Sequence, residues 1–109
     1  MGNPQSLQVQ LAIPMIQRVA AAAAIGSTYT LVGSIFGSGV ILLIIVSTLD
    51  QDVQISLDGV NDFMPVIAHS AIPLDIKSDV AAIPGWRGVY VKEIGNPTTG
   101  SLYVSGFQV

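Results

Sequence analysis

Few side chains in this sequence could do chemistry, and their spacing narrows the choice further. His69 is the single histidine, and the chain has no cysteine. No acidic pair or thiol stands at a metal-ligand spacing from His69, so a zinc-type site lacks its second ligand and the imidazole reads as a loop residue. Asp58 and Asp62 bracket Gly59 and Asn61, an oxygen-rich arrangement like that of calcium loops. It matches no complete calcium loop and ends without a bidentate glutamate, so turn formers whose carboxylates bond nearby amides are the first reading and a weak cation site the lesser one. Ser56, Ser70, Ser78, Ser101 and Ser105 carry hydroxyls, but none sits in a G-x-S-x-G elbow and a triad would have to use His69 as its base. The glycines from Gly33 to Gly39 have neither the spacing nor the following helix of a phosphate or dinucleotide loop. These residues predict a protein that is not an enzyme and that holds no metal or other cofactor.

Trp86 next to Arg87 offers chemistry of another kind, since both types are enriched at binding hot spots. An interface anchor and a core-edge tryptophan stacked by its neighbour are equally open readings. Leu7, Val9 and Leu11 alternate with Gln8 and Gln10 near the N-terminus and join Trp86 and Arg87 as candidate interface residues.

Composition points the same way. The chain has 109 residues, enough for one domain with a single core. Half of the residues are hydrophobic and 10% are charged, where soluble domains carry roughly a quarter charged. So little charge leaves apolar surface that a lone domain would expose, and this predicts burial in an assembly or a membrane. The net charge is −3, and the four basic residues, Arg18, Lys77, Arg87 and Lys92, are scattered. No patch can neutralise several phosphates at once, so direct nucleic-acid binding is not expected. Residues 1–10 lack the basic region of a secretory signal, and without cysteine there is no disulfide framework.

Residues 19–49 carry no charge and are long enough to cross a bilayer as a helix. Gly26, Gly33, Gly37 and Gly39 interrupt them, and Ser27, Thr28, Tyr29 and Thr30 form a polar, β-prone block inside them. The continuous apolar run, residues 40–46, is only a strand long and rich in branched residues, so a central strand buried on both faces fits better than a membrane span. Directly after it, Val53, Ile55 and Leu57 alternate with Gln54, Ser56 and Asp58 up to Gly59. A period of two places the first three on a core face and the others in water, and Asp-Gly closes the strand with a turn.

The remaining strands follow from similar patterns. Residues 7–11 predict a first strand that stops near Pro14, which has no amide hydrogen. Residues 15–25 hold five consecutive alanines and are open to a strand or a short helix. Residues 27–32, 63–68 and 72–76 read as strands, the last two made edge-like by Pro65 and Pro73. Val89 and Val91 alternate with Tyr90 and Lys92, a turn cluster spans residues 96–100, and Leu102, Val104 and Gly106 alternate to the end, which predicts a terminal β-hairpin. About seven or eight short antiparallel strands without an amphipathic helix predict an all-β sandwich, for which a jelly roll is one fitting topology. Residues 1–14 form an extended N-terminal arm or first strand in this reading, and residues 15–109 form the sandwich.

Three segments carry a family resemblance. They run from Ser47-Thr48-Leu49-Asp50-Gln51-Asp52 through Val53-Gln54-Ile55-Ser56-Leu57-Asp58-Gly59-Val60-Asn61-Asp62, then Gly88-Val89-Tyr90-Val91-Lys92, then Pro97-Thr98-Thr99-Gly100-Ser101-Leu102-Tyr103-Val104-Ser105. This order resembles small virion proteins of tailed bacteriophages, in which a buried strand leads into a Thr-Asp and Ser-x-Asp-Gly segment and a Tyr-Val-Lys and Thr-x-Gly-Ser hairpin closes the chain. The likeness covers about residues 20–107, and its motifs are turn residues and strand alternation, so they mark a scaffold rather than an active site. Phe63 stands where the pattern frequently has histidine, and a plain Asn96-Pro97 precedes the Thr98-Thr99-Gly100 turn.

The resemblance implies a β-sandwich on a phage particle, assembled in the bacterial cytoplasm and localised to the virion. The expected role is a capsid decoration or cement subunit that self-associates into a homo-oligomer and binds the major capsid protein or other virion proteins. A neck, tail or baseplate component is the structural alternative. A receptor- or carbohydrate-binding module is the alternative of another class, and Trp86, Tyr90 and Asp75 could line its site. The N-terminal arm is expected to act as a strand donated to a neighbouring subunit.

Overall fold

The computed structural model describes residues 13–37, 39–75 and 87–108. The candidates Leu7, Val9, Leu11 and Trp86, together with Ile76 and Ser78, lie outside the described residues. Among the described residues nine strands follow in chain order: β1 (Ile13–Pro14), β2 (Arg18–Ala21), β3 (Thr30–Leu31), β4 (Leu42–Ser47), β5 (Val53–Ser56), β6 (Met64–Val66), β7 (Ala71–Asp75), β8 (Tyr90–Glu93) and β9 (Ser101–Gln108). They form two antiparallel sheets. In the first, β1 and β2 pair in succession along one side of β9, and the order continues through β4 to β7; in the second the order is β3-β8-β5-β6.

The pairing is nested. β1 and β2 pair with β9, β3 with β8, β4 with β7 and β5 with β6, so the chain resembles one long hairpin folded over itself. Alternating side chains fill the space between the sheets: Leu43, Ile45, Leu102 and Val104 come from the first, and Val53, Ile55, Val66, Val89 and Val91 from the second. Each is at most 1% exposed, so together they make one continuous core. Ile72 and Leu74 of β7 pack against that core while Pro73 faces out, as their alternation predicts.

Several expectations change. Residues 40–46 were expected to form a strand buried on both faces, but in β4 only Leu43, Ile45 and Ser47 are buried, while Val46 is exposed and Ile44 half-buried. The sheet has a partner on one side only, so its apolar outer residues meet no second layer among the described residues. Of residues 27–32 only Thr30–Leu31 is strand, because Ser27 and Thr28 form a bend. The alanine run divides: Ala20 and Ala21 pair with Leu102 and Ser101 in β2, and Ala22–Ala24 wind into a single 3-10 turn. Five alanines are too few to nucleate a helix against a ladder that already claims two of them.

The terminal hairpin is absent. β8 and β9 lie in different sheets, and residues 94–100 carry the chain from one to the other. Instead of turning back on β8, this crossing runs beside residues 48–52, where the amides of Ile94 and Gly95 donate to the Asp52 carbonyl and the Thr48 amide donates to the Ser101 carbonyl. Alternation made both strands legible, but each found a different partner. β1 does stop at Pro14, opposite Phe107, where the missing amide hydrogen predicts a strand end, while residues 7–11 of the expected first strand lie outside the described residues.

Candidate functional site

Polar side chains concentrate in two loop clusters. In the first, the Asp50 carboxylate lies against the β8–β9 crossing and accepts hydrogen bonds from the Thr98 amide (2.9 Å), the Thr98 hydroxyl (2.7 Å) and the Thr99 amide (3.3 Å). The Thr48 hydroxyl accepts from the Ser101 amide at 2.9 Å. Gly100, at φ +88°, passes so close to the Thr48 backbone that any Cβ would overlap its carbonyl oxygen. Asp52 accepts the Ala68 amide at 2.9 Å and so ties in the β6–β7 turn. The hydroxyl of Thr98 and the amides of Thr98 and Thr99 hold the Asp50 carboxyl below its ordinary pKa. Residues 48–52 and 98–101 are therefore the two halves of one clamp.

The second cluster is the turn after β5. The Asp58 carboxylate accepts from the Asn61 amide (2.8 Å), the Val60 amide (2.9 Å), the Asn61 side chain (2.8 Å) and the Ser56 hydroxyl (2.8 Å). These donors, the Asn61 amide foremost, push its pKa well below the carboxylate range. Ser56 was expected on the water face but is fully buried, because its oxygen also accepts the amides of Asp58 and Gly59 and closes the turn inward. Gly59 supplies the φ of +81° that the turn requires, beneath the Tyr90 ring. Asp62 accepts the Tyr29 hydroxyl and lies 3.4 Å from the Lys92 ammonium, which sits 4.7 Å from the centre of the Tyr29 ring. Desolvation first, then the hydrogen bond to Asp62, raise the Tyr29 pKa to about 12, and the same bond lowers that of Asp62.

This geometry satisfies the loop from within. Asp58 spends its oxygens on its own turn and Asp62 on Tyr29 and Lys92. Among the described residues, no three His, Cys, Asp or Glu side chains stand together as a metal site would need. His69 is an exposed turn residue between β6 and β7 at φ +54°. Of the five serines, Ser56 closes its turn, Ser70 and Ser101 lie in loop and strand-end positions, and Ser105 points out of β9.

Arg87 is half-buried, with one guanidinium nitrogen 3.9 Å from the Asp58 carboxylate. Tyr90 leans on Gly59. Of the expected interface and sugar-binding residues, Leu7, Val9, Leu11 and Trp86 lie outside the described residues, and Asp75 is placed only by its register in β7.

Sequence reasoning missed Arg18, whose side chain is buried with no carboxylate partner among the described residues. Its guanidinium donates to the carbonyls of Ile16 (2.6 Å), Ser34 (2.8 Å), Ile35 (2.7 Å) and Phe36 (3.3 Å) and lies 4.8 Å from the centre of the Phe36 ring. Phase was the available signal: in β2, Arg18 shares the inward face with Ala20. The charge pins residues 34–36 to the sandwich edge, a structural use rather than a chemical one.

Large apolar side chains are left outside. Ile16, Val60, Ile94 and Ile67 are 85%, 78%, 58% and 55% exposed. Among the described residues no helix is long and apolar enough to cross a membrane. What fold and surface define is an all-β sandwich whose polar groups are taken up by its own loops. Comparison with protein-family models, curated proteins and solved structures gives no match for this chain.

Proposed function

We propose that this chain is a structural virion protein of a tailed bacteriophage, a capsid decoration or cement subunit that stabilises the particle through contacts with the major capsid protein and with its own copies. The carrying observation is the mismatch between surface and charge: isoleucines and valines stand in solvent on a domain with few charged groups, as expected of a subunit covered by neighbours. The phage-like segments support the reading because their polar residues clamp loops together, so the pattern describes a scaffold. The nested pairing supports a jelly roll, an architecture that viral capsid domains use. Function in this reading is interface free energy, with no reaction to catalyse. Residues 1–14 serve as an arm reaching a neighbouring subunit.

The test uses particles of the phage that encodes the chain. Particles lacking it are expected to lose contents at lower temperature or pressure, and purified protein added back is expected to restore them. Deleting residues 1–10 is expected to weaken that rescue. Particles equally stable with and without the chain would overturn the cement role, and its absence from purified particles would overturn the virion reading.

A further inference from the structure

Asp58-Gly59 is the sequence's single Asp-Gly pair, and the sequence has no Asn-Gly pair. An Asp-Gly link is the peptide bond most open to isoaspartate formation, because glycine brings no Cβ to hinder attack by its own nitrogen. In that reaction a bond forms between Gly59 N and Asp58 Cγ, the amide proton and the carboxyl OH leave as water, and a five-membered succinimide results. Water then reopens the ring at either carbonyl. Opening at Cγ restores aspartate, whereas opening at the α-carbonyl leaves the main chain running through Cγ, one methylene longer. The water lost in the first step returns in the second, so no co-reactant is needed.

The turn after β5 engages both reacting groups. On the nucleophile, the Gly59 amide donates to the Ser56 Oγ at 2.9 Å, and that hydroxyl belongs to a fully buried residue and donates in turn to the Asp58 Oδ1 at 2.8 Å. On the electrophile, Oδ1 also accepts the Val60 and Asn61 amides at 2.9 and 2.8 Å, and Oδ2 accepts the Asn61 side-chain amide at 2.8 Å. Cyclisation needs the neutral carboxyl, which has an OH to release. The donors, the Asn61 amide foremost, favour the ionised form and hold the Asp58 pKa well below the carboxylate range. Gly59 itself lies at φ +81° beneath the Tyr90 ring, whose Cδ2 is 3.2 Å from the place a Cβ would take, so its peptide has little room to move on that side.

We infer that Asp58-Gly59 is a latent isoaspartate site, closed by the Ser56 and Asn61 bonds in the folded chain and modified only when the turn after β5 opens. Opening of a single turn is a local event with its own free energy, separate from unfolding of the sandwich. Once formed, isoaspartate is one-way for the turn: the added methylene shifts the carboxyl away from the Val60 and Asn61 amides, so the bonds that closed the site are not remade. The inference concerns the folded chain alone and is independent of its place in a phage.

Incubating the purified full chain at neutral pH and body temperature tests it, with isoaspartate counted by methyltransferase labelling and located at residue 58 by peptide mapping. The folded wild type is expected to isomerise roughly tenfold or more slowly than the same chain unfolded in guanidinium chloride. Ser56→Ala releases the Gly59 amide and removes one donor from the carboxylate, and it is expected to speed the folded reaction several-fold. Asn61→Ala, at an exposed position that spares the core, is expected to do the same and carries the comparison if Ser56→Ala does not fold. Asp50→Ala weakens the distant clamp and is expected to keep the wild-type rate. Circular dichroism checks the fold of each variant. A folded wild type that isomerises as fast as the unfolded chain would overturn the inference, as would a folded Ser56→Ala or Asn61→Ala chain that keeps the wild-type rate. An Asp50→Ala effect as large as theirs would overturn it too, by assigning control to unfolding of the whole sandwich.

Discussion

Asp50 joins two loops 48 residues apart in sequence through bonds to Thr98 and Thr99. Asp50, Asp58 and Asp62 all have folded pKa values below ordinary. A depressed carboxyl contributes stability that is present above its unfolded pKa, about 3.9, and lost as pH falls through its folded value. Thermal melts are therefore expected to give a level Tm from neutral pH to about 5 and a fall below about 4. Asp50→Ala is expected to lower Tm at pH 7 and to flatten the acid fall, and an unchanged Tm would contradict the clamp. Tyr29 has the opposite sign. Its folded pKa, raised to about 12, favours the folded state below the unfolded value near 10 and loses that contribution as pH rises towards 12. Phenolate absorbance is expected to show a late-titrating tyrosine that Tyr29→Phe removes. Replacing Arg18 with methionine strands four carbonyls and is expected to cost about 3 kcal/mol or more in urea unfolding. Neither Asp50 nor Arg18 was legible in its role, because both act on groups far away in sequence.

At the scale of elements, the sequence was clearest where burial alternates. Val53 and Ile55 face the core as their period predicts, and so do Leu102 and Val104. Leu57 packs against that core only in part, since the chain has already begun to turn at Ser56. Partners were not legible, because alternation specifies which face of a strand is buried and says nothing about the strand beside it. The crossing after β8 illustrates this: Thr98, Thr99 and Gly100 look like a hairpin turn and instead seat a crossing against residues 48–50. Gly100 makes the point testable. Gly100→Ala combines a left-handed φ with backbone overlap at Thr48 and is expected to cost about 3 kcal/mol or more in chemical unfolding. A loss below about 1 kcal/mol, the scale of simple entropy effects, would mean that the crossing does not lie against β4's end.

For the whole molecule, composition and fold converge. Ten per cent charged residues suffice to pin loops at Asp50, Asp58 and Arg18 but put no charge in the central rows of the first sheet's outer face among the described residues. The fold class was legible because short alternating strands, frequent turn residues and no amphipathic helix leave few other architectures. The candidate surface was not, since the row from Val19 to Ala71 draws on four strands that only the ladder register brings side by side. On the proposed function this sandwich works by being covered on a capsid, which a reconstruction of purified phage particles would decide. Density for the sandwich is expected on the outer capsid, with the outer face of its first sheet buried. Particles whose capsid surface lacks this density, or a chain bound there with that face bare to solvent, would contradict it.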